Sequence, residues 1–147
     1  MILTFTVNSF AVALAVLIHY EFVHQFSLRI PEMHMNHRYR ILIGIFGALI
    51  VHSIEIWIFA VFYYFMHKSP GWGTLTGNFD GSIFDCAYFS FTTFTTLGFG
   101  DIAPIGNIRF LVGIESLTGL VLITWTASFL FLEMQRYWGT RQIIKRD

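Results

Sequence analysis

The run Thr92-Thr93-Phe94-Thr95-Thr96-Leu97-Gly98-Phe99-Gly100-Asp101 packs hydroxyls, glycines and one carboxylate into a short length of chain. A dehydrated potassium ion needs a dense cage of oxygen ligands, and backbone carbonyls supply it where consecutive residues turn inward along a narrow axis, a geometry that glycine makes attainable. Here the carbonyls of Thr96, Leu97, Gly98 and Phe99 are expected to form stacked levels, Gly100 to complete the ion-binding run, and the Thr96 hydroxyl to add an inner ring. One chain gives one oxygen per level, so a closed ring requires four copies. Exposed backbone of this kind is excluded from lipid but allowed where it lines a water-filled path. Asp101 would then place fourfold negative charge at the outer mouth and attract cations.

These residues need elements to hold them, and the composition says what those elements are. The chain is 147 residues long, 55% hydrophobic and 12% charged, too apolar for an ordinary soluble domain. One apolar stretch runs from Ile2 to about Phe22, a second from Ile41 to about Met66, and a third from about Asn107 to Met134. Each is long enough to cross a hydrocarbon core of about 30 Å as a helix. The segment Met1-Ile2-Leu3-Thr4-Phe5 has no basic run, so the first stretch is expected to stay in the protein rather than act as a cleaved leader. Pro70-Gly71-Trp72-Gly73 and Gly77-Asn78 read as an exposed loop. After Asp80-Gly81-Ser82 a helical pattern runs from about Ile83 to Thr93, too short to span and suited to a re-entrant helix, with Ser82 as cap and Asp85 in the first turn. Its carboxyl end, with unpaired carbonyls, would face the site where a cation pauses. Pro104 and Gly106 let the chain turn into the third span.

Charge placement predicts orientation. Nine basic and nine acidic residues cancel, which gives no overall field to recruit nucleic acid. Arg29, Arg38 and Arg40 follow the first span, and Arg136, Arg141, Lys145 and Arg146 follow the third, so seven of the nine basic residues share one side after three crossings. That side is expected to be cytoplasmic, with the amino terminus outside and the carboxyl terminus inside. His34-Met35-Asn36-His37-Arg38-Tyr39-Arg40 would lie against the inner leaflet, where Arg38 and Arg40 meet anionic lipid. No span carries repeated arginines, so no voltage-sensing helix is expected.

From about Ile41 to Met134 the sequence resembles the pore domain of tetrameric potassium channels, whose filter is commonly written Thr-Val-Gly-Tyr-Gly-Asp and is here Thr96-Leu97-Gly98-Phe99-Gly100-Asp101. The resemblance implies that the second span is an outer helix and the third a pore-lining inner helix. Tyr88-Phe89-Ser90-Phe91-Thr92-Thr93-Phe94-Thr95 would lie in the pore helix, and Pro104 is the usual proline after the filter. It implies passive conduction of potassium, with no catalysis and no cofactor. Two positions depart from the pattern: Phe99 lacks the common tyrosine hydroxyl, and Thr92 stands where some relatives place a carboxylate or valine. The resemblance also puts Gly119 near the bend of the inner helix, a gating hinge, with close helix packing as the alternative.

Several polar residues fall inside the spans. Thr118, Thr124, Thr126 and Ser128 are expected to bond carbonyls of their own helix, and Phe129 and Phe131 are candidates for an apolar constriction. Glu55 and Glu115 must be paired, protonated or turned toward protein or water, because a mid-membrane charge costs about 2.5 kcal/mol or more. His52 and Glu55, three apart, share a helical face and form a local polar pair, while Glu115 is free to approach the back of the pore helix. The six histidines show no repeated spacing that assembles a metal centre, and Cys86 reads as packing.

The expectation is thus an all-α membrane protein: three transmembrane helices, a re-entrant pore helix and an extended selectivity filter, assembled as a homotetramer. Residues 1–28 form a peripheral helix, 29–40 a cytoplasmic linker, 41–134 the pore domain and 135–147 a short cytoplasmic tail. The expected activity is potassium conduction, with membrane lipids as the other partners. A nonselective monovalent cation channel and a non-conducting scaffold or auxiliary pore subunit are the alternatives.

Overall fold

The computed structural model describes residues 2–29 and 36–144, without the side chains of His37 and residues 136–144. In order they form α1 (Ile2–Arg29), α2 (His37–Lys68), β1 (Thr74–Gly77), α3 (Ile83–Phe94), β2 (Ile102–Ile105) and α4 (Ile108–Ile144). Three helices are long and apolar enough to cross a membrane, over Ile2–Arg29, Arg38–Lys68 and Ile108–Gln135, which makes this a multi-pass membrane protein with a helical body. All three run past the expected spans. Hydropathy marks only the length that hydrocarbon tolerates, whereas the backbone ladder continues into the interface, where His24, Gln25 and Ser27 extend α1. His34, Lys145 and Arg146 lie outside the described residues, as do the side chains of His37, Arg136 and Arg141.

Small side chains decide how the helices meet. The buried stripe of α1 is Asn8, Ala11, Ala15, His19 and Val23, recurring every three or four residues and facing α2 and α4. Phe5, Phe10 and Leu17 on its other face are exposed, as lipid contact requires. On α2, a Cβ at Gly44 would lie 2.8 Å from Leu130 Cδ2, and one at Gly47 would lie 2.9 Å from Phe22 Cζ, so both glycines admit neighbouring side chains. Phe59, Tyr63, Phe94, Ile108, Leu111 and Leu122 are completely or almost completely buried at the junction of α2, α3 and α4.

The expected outer loop contains a β-ribbon. β1 and β2 pair antiparallel with Thr74 opposite Ile105 and Gly77 opposite Ile102. Gly73 and Gly77 have φ of 106° and 101°, and a Cβ on either would overlap a carbonyl oxygen of the facing chain. Pro104 is tolerated in β2 because each strand of a two-stranded ribbon is an edge. The ribbon is anchored to α2 by Leu75 N–H donating to His67 Nδ1 at 3.1 Å, and to α4 by Ile108 N–H donating to the Trp72 carbonyl at 2.7 Å. It therefore fixes both ends of the stretch that contains α3 and residues 95–101.

Candidate functional site

The start of α3 is closed by short polar links. Ser82 Oγ accepts from the Asp85 N–H at 3.0 Å, Asp85 Oδ2 accepts from the Asp80 N–H at 2.8 Å, and Asp80 Oδ1 accepts from the Ser82 N–H at 2.7 Å. The Ser82 hydroxyl first, and its N–H second, hold the Asp80 carboxyl below its ordinary value. At 12 residues, α3 is about 18 Å long at 1.5 Å per residue. It cannot span a core of about 30 Å. Its inward face carries Cys86, Ala87, Phe89, Ser90, Thr93 and Phe94.

At the carboxyl end of α3 the carbonyls are not left unpaired, contrary to expectation. Phe91 O accepts from Thr95 N and Oγ1, Thr92 O from the Gly98 N–H at 3.0 Å, and Thr93 O from the Thr96 N–H at 2.9 Å and from Ser116 Oγ at 3.2 Å. The chain folds back on its own helix end, so these groups find partners within the fold. The aligned peptide dipoles remain. What those bonds fix is the entry to residues 96–100.

Residues 95–101 are exposed, with Leu97 at 64% and Phe99 at 67% of their full surface uncovered. Positive φ recurs at every second residue: 60° at Thr96, 51° at Gly98 and 81° at Gly100. A Cβ at Gly98 or Gly100 would meet nothing within 4 Å, so backbone conformation and not crowding calls for glycine there. Thr96 is β-branched and left-handed, which costs about 1–2 kcal/mol. A cleft of about 270 Å³ lies behind the segment, bordered by Phe89, Thr92, Val112 and Ser116.

Contacts to Asp101 and to α3 brace this segment from behind. Tyr88 OH donates to Asp101 Oδ2 at 2.9 Å, and Asp101 O accepts from the Asn78 N–H at 2.9 Å, tying the far end to α3 and to the residue after β1. Glu115 of α4 is fully buried and hydrogen-bonds both Tyr63 of α2 and Ser90 of α3; Ser90 Oγ also lies 2.9 Å from the Ile56 carbonyl. Glu115 thus does meet the back of the short helix. Gly119 packs directly on the Phe94 backbone, where any Cβ would overlap the Phe94 carbonyl oxygen. Of its two expected roles, close packing is the one with visible contacts.

The remaining polar residues divide between expectation and surprise. Thr118, Thr124 and Ser128 bond carbonyls of α4 as anticipated. Thr126 does not: its hydroxyl lies 3.3 Å from His19 Nε2 and 3.2 Å from His52 Nε2. Phe129 packs edge-on against Phe26 of α1 with centroids 6.1 Å apart and is half-buried, whereas Phe131 is exposed. Thr92 is buried and bonds Phe89 O at 2.9 Å. The pair His52–Glu55 forms as expected at 2.8 Å, but His19 joins it from α1, with Nδ1 2.9 Å from the other Glu55 oxygen. No sequence spacing foretold that, since His19 and Glu55 lie 36 residues apart.

The model of a protein family described as "Ion channel" matches residues 41–136. That span covers α2 through most of α4 and leaves α1 outside. No curated protein and no solved structure matches the chain.

Proposed function

The chain belongs to the ion channel family, and from that premise we propose that it is a potassium-selective pore made from four copies of itself, with residues 95–101 as the conducting path. Family membership makes it a channel rather than a catalyst, and a permeant ion is the ligand such a protein handles. The observation that carries the finer reading is the left-handed backbone at Thr96, Gly98 and Gly100 in an exposed segment directly after a capped short helix. Alternating handedness turns successive carbonyls toward one side, which is what a ladder of cation sites needs. Strain at Thr96 suits a functional segment, because unfavourable backbone persists only where surrounding bonds over-determine it. The Thr96 and Gly98 amides supply two of those bonds.

In this reading α3 is the pore helix, α2 the outer helix and α4 the inner helix of a pore domain over residues 41–134. Residues 1–28 form the peripheral helix; 29–40, which takes in the last residue of α1 and the first turn of α2, is the cytoplasmic linker that meets lipid through Arg38 and Arg40; and 135–147, helical as far as Ile144, is the cytoplasmic tail. Thr96, Leu97, Gly98, Phe99 and Gly100 bind the ion, Asp101 sits at the outer mouth, and Gly119 is the packing point that α4 must leave or pivot on when the pore opens. The excess of basic residues after the first and third spans puts the amino terminus outside.

Proteoliposomes carrying separate potassium and sodium gradients test this. The expected result is potassium flux well above sodium flux, strongly reduced by Gly98→Ala, whose Cβ has space but whose φ of 51° costs an L-residue about 1–2 kcal/mol beside the already strained Thr96. Equal sodium and potassium flux would move the reading to a nonselective channel. Potassium flux untouched by Gly98→Ala would remove residues 95–101 from the path.

A further inference from the structure

His19, His52 and Glu55 bring three metal-ligating groups together at a place the ion path does not use. His19 and Glu55 are fully buried and the His52 side chain is 16% exposed. His19 Nδ1 faces Glu55 Oε1 at 2.9 Å and His52 Nδ1 faces Glu55 Oε2 at 2.8 Å, and the ligand atoms of the three residues all lie within 4.8 Å of one another. The rings are stacked with centroids 5.4 Å apart and planes 25° apart, so each turns its Nδ1 edge to the carboxylate and its Nε2 edge to Thr126.

We propose that His19, His52 and Glu55 form a divalent transition-metal site of the zinc class that clips α1 to α2, with Thr126 of α4 orienting both imidazoles. Two imidazoles and one carboxylate make a donor set that suits zinc with a fourth position left for water. Ligands about 2.0–2.2 Å from a tetrahedral ion stand about 3.3 Å from one another, so with one carboxylate oxygen on the ion the facing Nδ1 opens by about half an ångström and the other ligand atom, within 4.8 Å, closes in by side-chain rotation. A hydroxide in the fourth position would leave the buried assembly neutral, since two neutral rings and one carboxylate carry one charge against the ion's two.

Thr126 supplies the second, independent observation. Its hydroxyl has a single hydrogen, so when two neutral rings both donate from Nδ1 to the carboxylate it can serve only one of the two Nε2 atoms. When both Nδ1 atoms bind a metal, both Nε2 atoms carry hydrogen, and the two lone pairs of Oγ1 accept both. Metal-bound histidines regularly donate their other N–H to such a partner. The ion would join α1, which lies outside the matched family region, to α2 next to Phe94, whose ring centroid is 5.9 Å from that of His52.

The test uses the purified full-length chain in lipid nanodiscs, stripped with a chelator and titrated with Co²⁺ alone. We expect one Co²⁺ per chain, with the strong visible absorption of a four- or five-coordinate ion, displaced by Zn²⁺. His19→Gln and Glu55→Gln should abolish the band, His24→Gln should leave it intact, and Thr126→Val, which keeps all three ligands, should weaken Co²⁺ binding about 10–100-fold. No band in the wild type, or one that survives His19→Gln, overturns the proposal and leaves a cluster held by hydrogen bonds alone. Should the ligand variants fail to fold, X-ray absorption of the Zn²⁺-loaded wild type decides it: two imidazoles in a nitrogen and oxygen shell support the site, and fewer overturn it. None of these readouts depends on ion flux, so the site stands or falls apart from the proposed conduction.

Discussion

Gly119 and Glu115 lie one turn apart on α4 and act on α3 in opposite ways, one by absence of a side chain and the other by its bonds. Gly119→Ala must push α4 away from the Phe94 carbonyl, a backbone atom that cannot rotate aside. Overpacking of this kind costs about 1–3 kcal/mol. Gly113→Ala is the control on the same helix: its Cβ meets nothing within 4 Å. There the gain of helix propensity, up to about 1 kcal/mol, should make it neutral or stabilising. Thermal unfolding of the two variants in the same detergent checks the contrast, and equal midpoints would mean that the close approach at 119 does not matter. Glu115→Ala strands the buried Tyr63 hydroxyl and loosens Ser90, at about 1–3 kcal/mol for each unsatisfied group. Glu115→Gln keeps one acceptor and replaces the other by an N–H donor that the Ser90 hydroxyl can accept while donating to the Ile56 carbonyl, and it should unfold much closer to wild type.

At the scale of the element, α3 depends on its amino-terminal cap because it is short and its nucleus is costly. Ser82→Ala removes the bond to the Asp85 N–H and should cost about 1 kcal/mol. The Asp80 carboxyl, held below its ordinary value of 3.8, gives the same turn a pH dependence. A group lowered by folding adds stability that is fully present above its unfolded value and is lost as pH falls through its folded value. The cap should therefore be indifferent between pH 5 and 7 and weaken only below about pH 4. Comparing Asp80→Asn with wild type across that range measures it: the two should converge at low pH, and a constant difference throughout would exclude the carboxylate as the cause. The ribbon adds a second constraint on α3, since Asn78 and Ile102 leave it at the two ends of the stretch that contains α3.

For the whole molecule, the uncovered surface is the guide. Leu97 and Phe99 are apolar and about two-thirds exposed, yet they follow a helix end bonded inside the bundle, not on its outer face. In the proposed tetramer these side chains lie where four copies converge. Size-exclusion chromatography with light scattering should then give a protein mass of four times 17.0 kDa after subtraction of detergent. A monomeric mass would end the tetrameric reading.

The sequence by itself determined where the chain crosses the membrane, the short capped helix between the last two crossings, and the glycine-spaced run after it. Each depends on local pattern: apolar length against bilayer thickness, a serine three residues before an aspartate, and glycine where the backbone turns left-handed. The tertiary structure alone decided that His19 meets Glu55 across 36 residues and Thr126 across 107, that Glu115 joins Tyr63 and Ser90, that Gly119 receives Phe94, and that Phe129 turns to α1. It also paired residues 74–77 with 102–105, which the glycines and Pro104 had disguised as loop. The physical reason is that in an apolar bilayer helical periodicity is nearly silent about which face meets protein and which meets lipid. Rotation of each helix about its axis is set by small residues and buried polar partners, and those act only once distant segments are side by side.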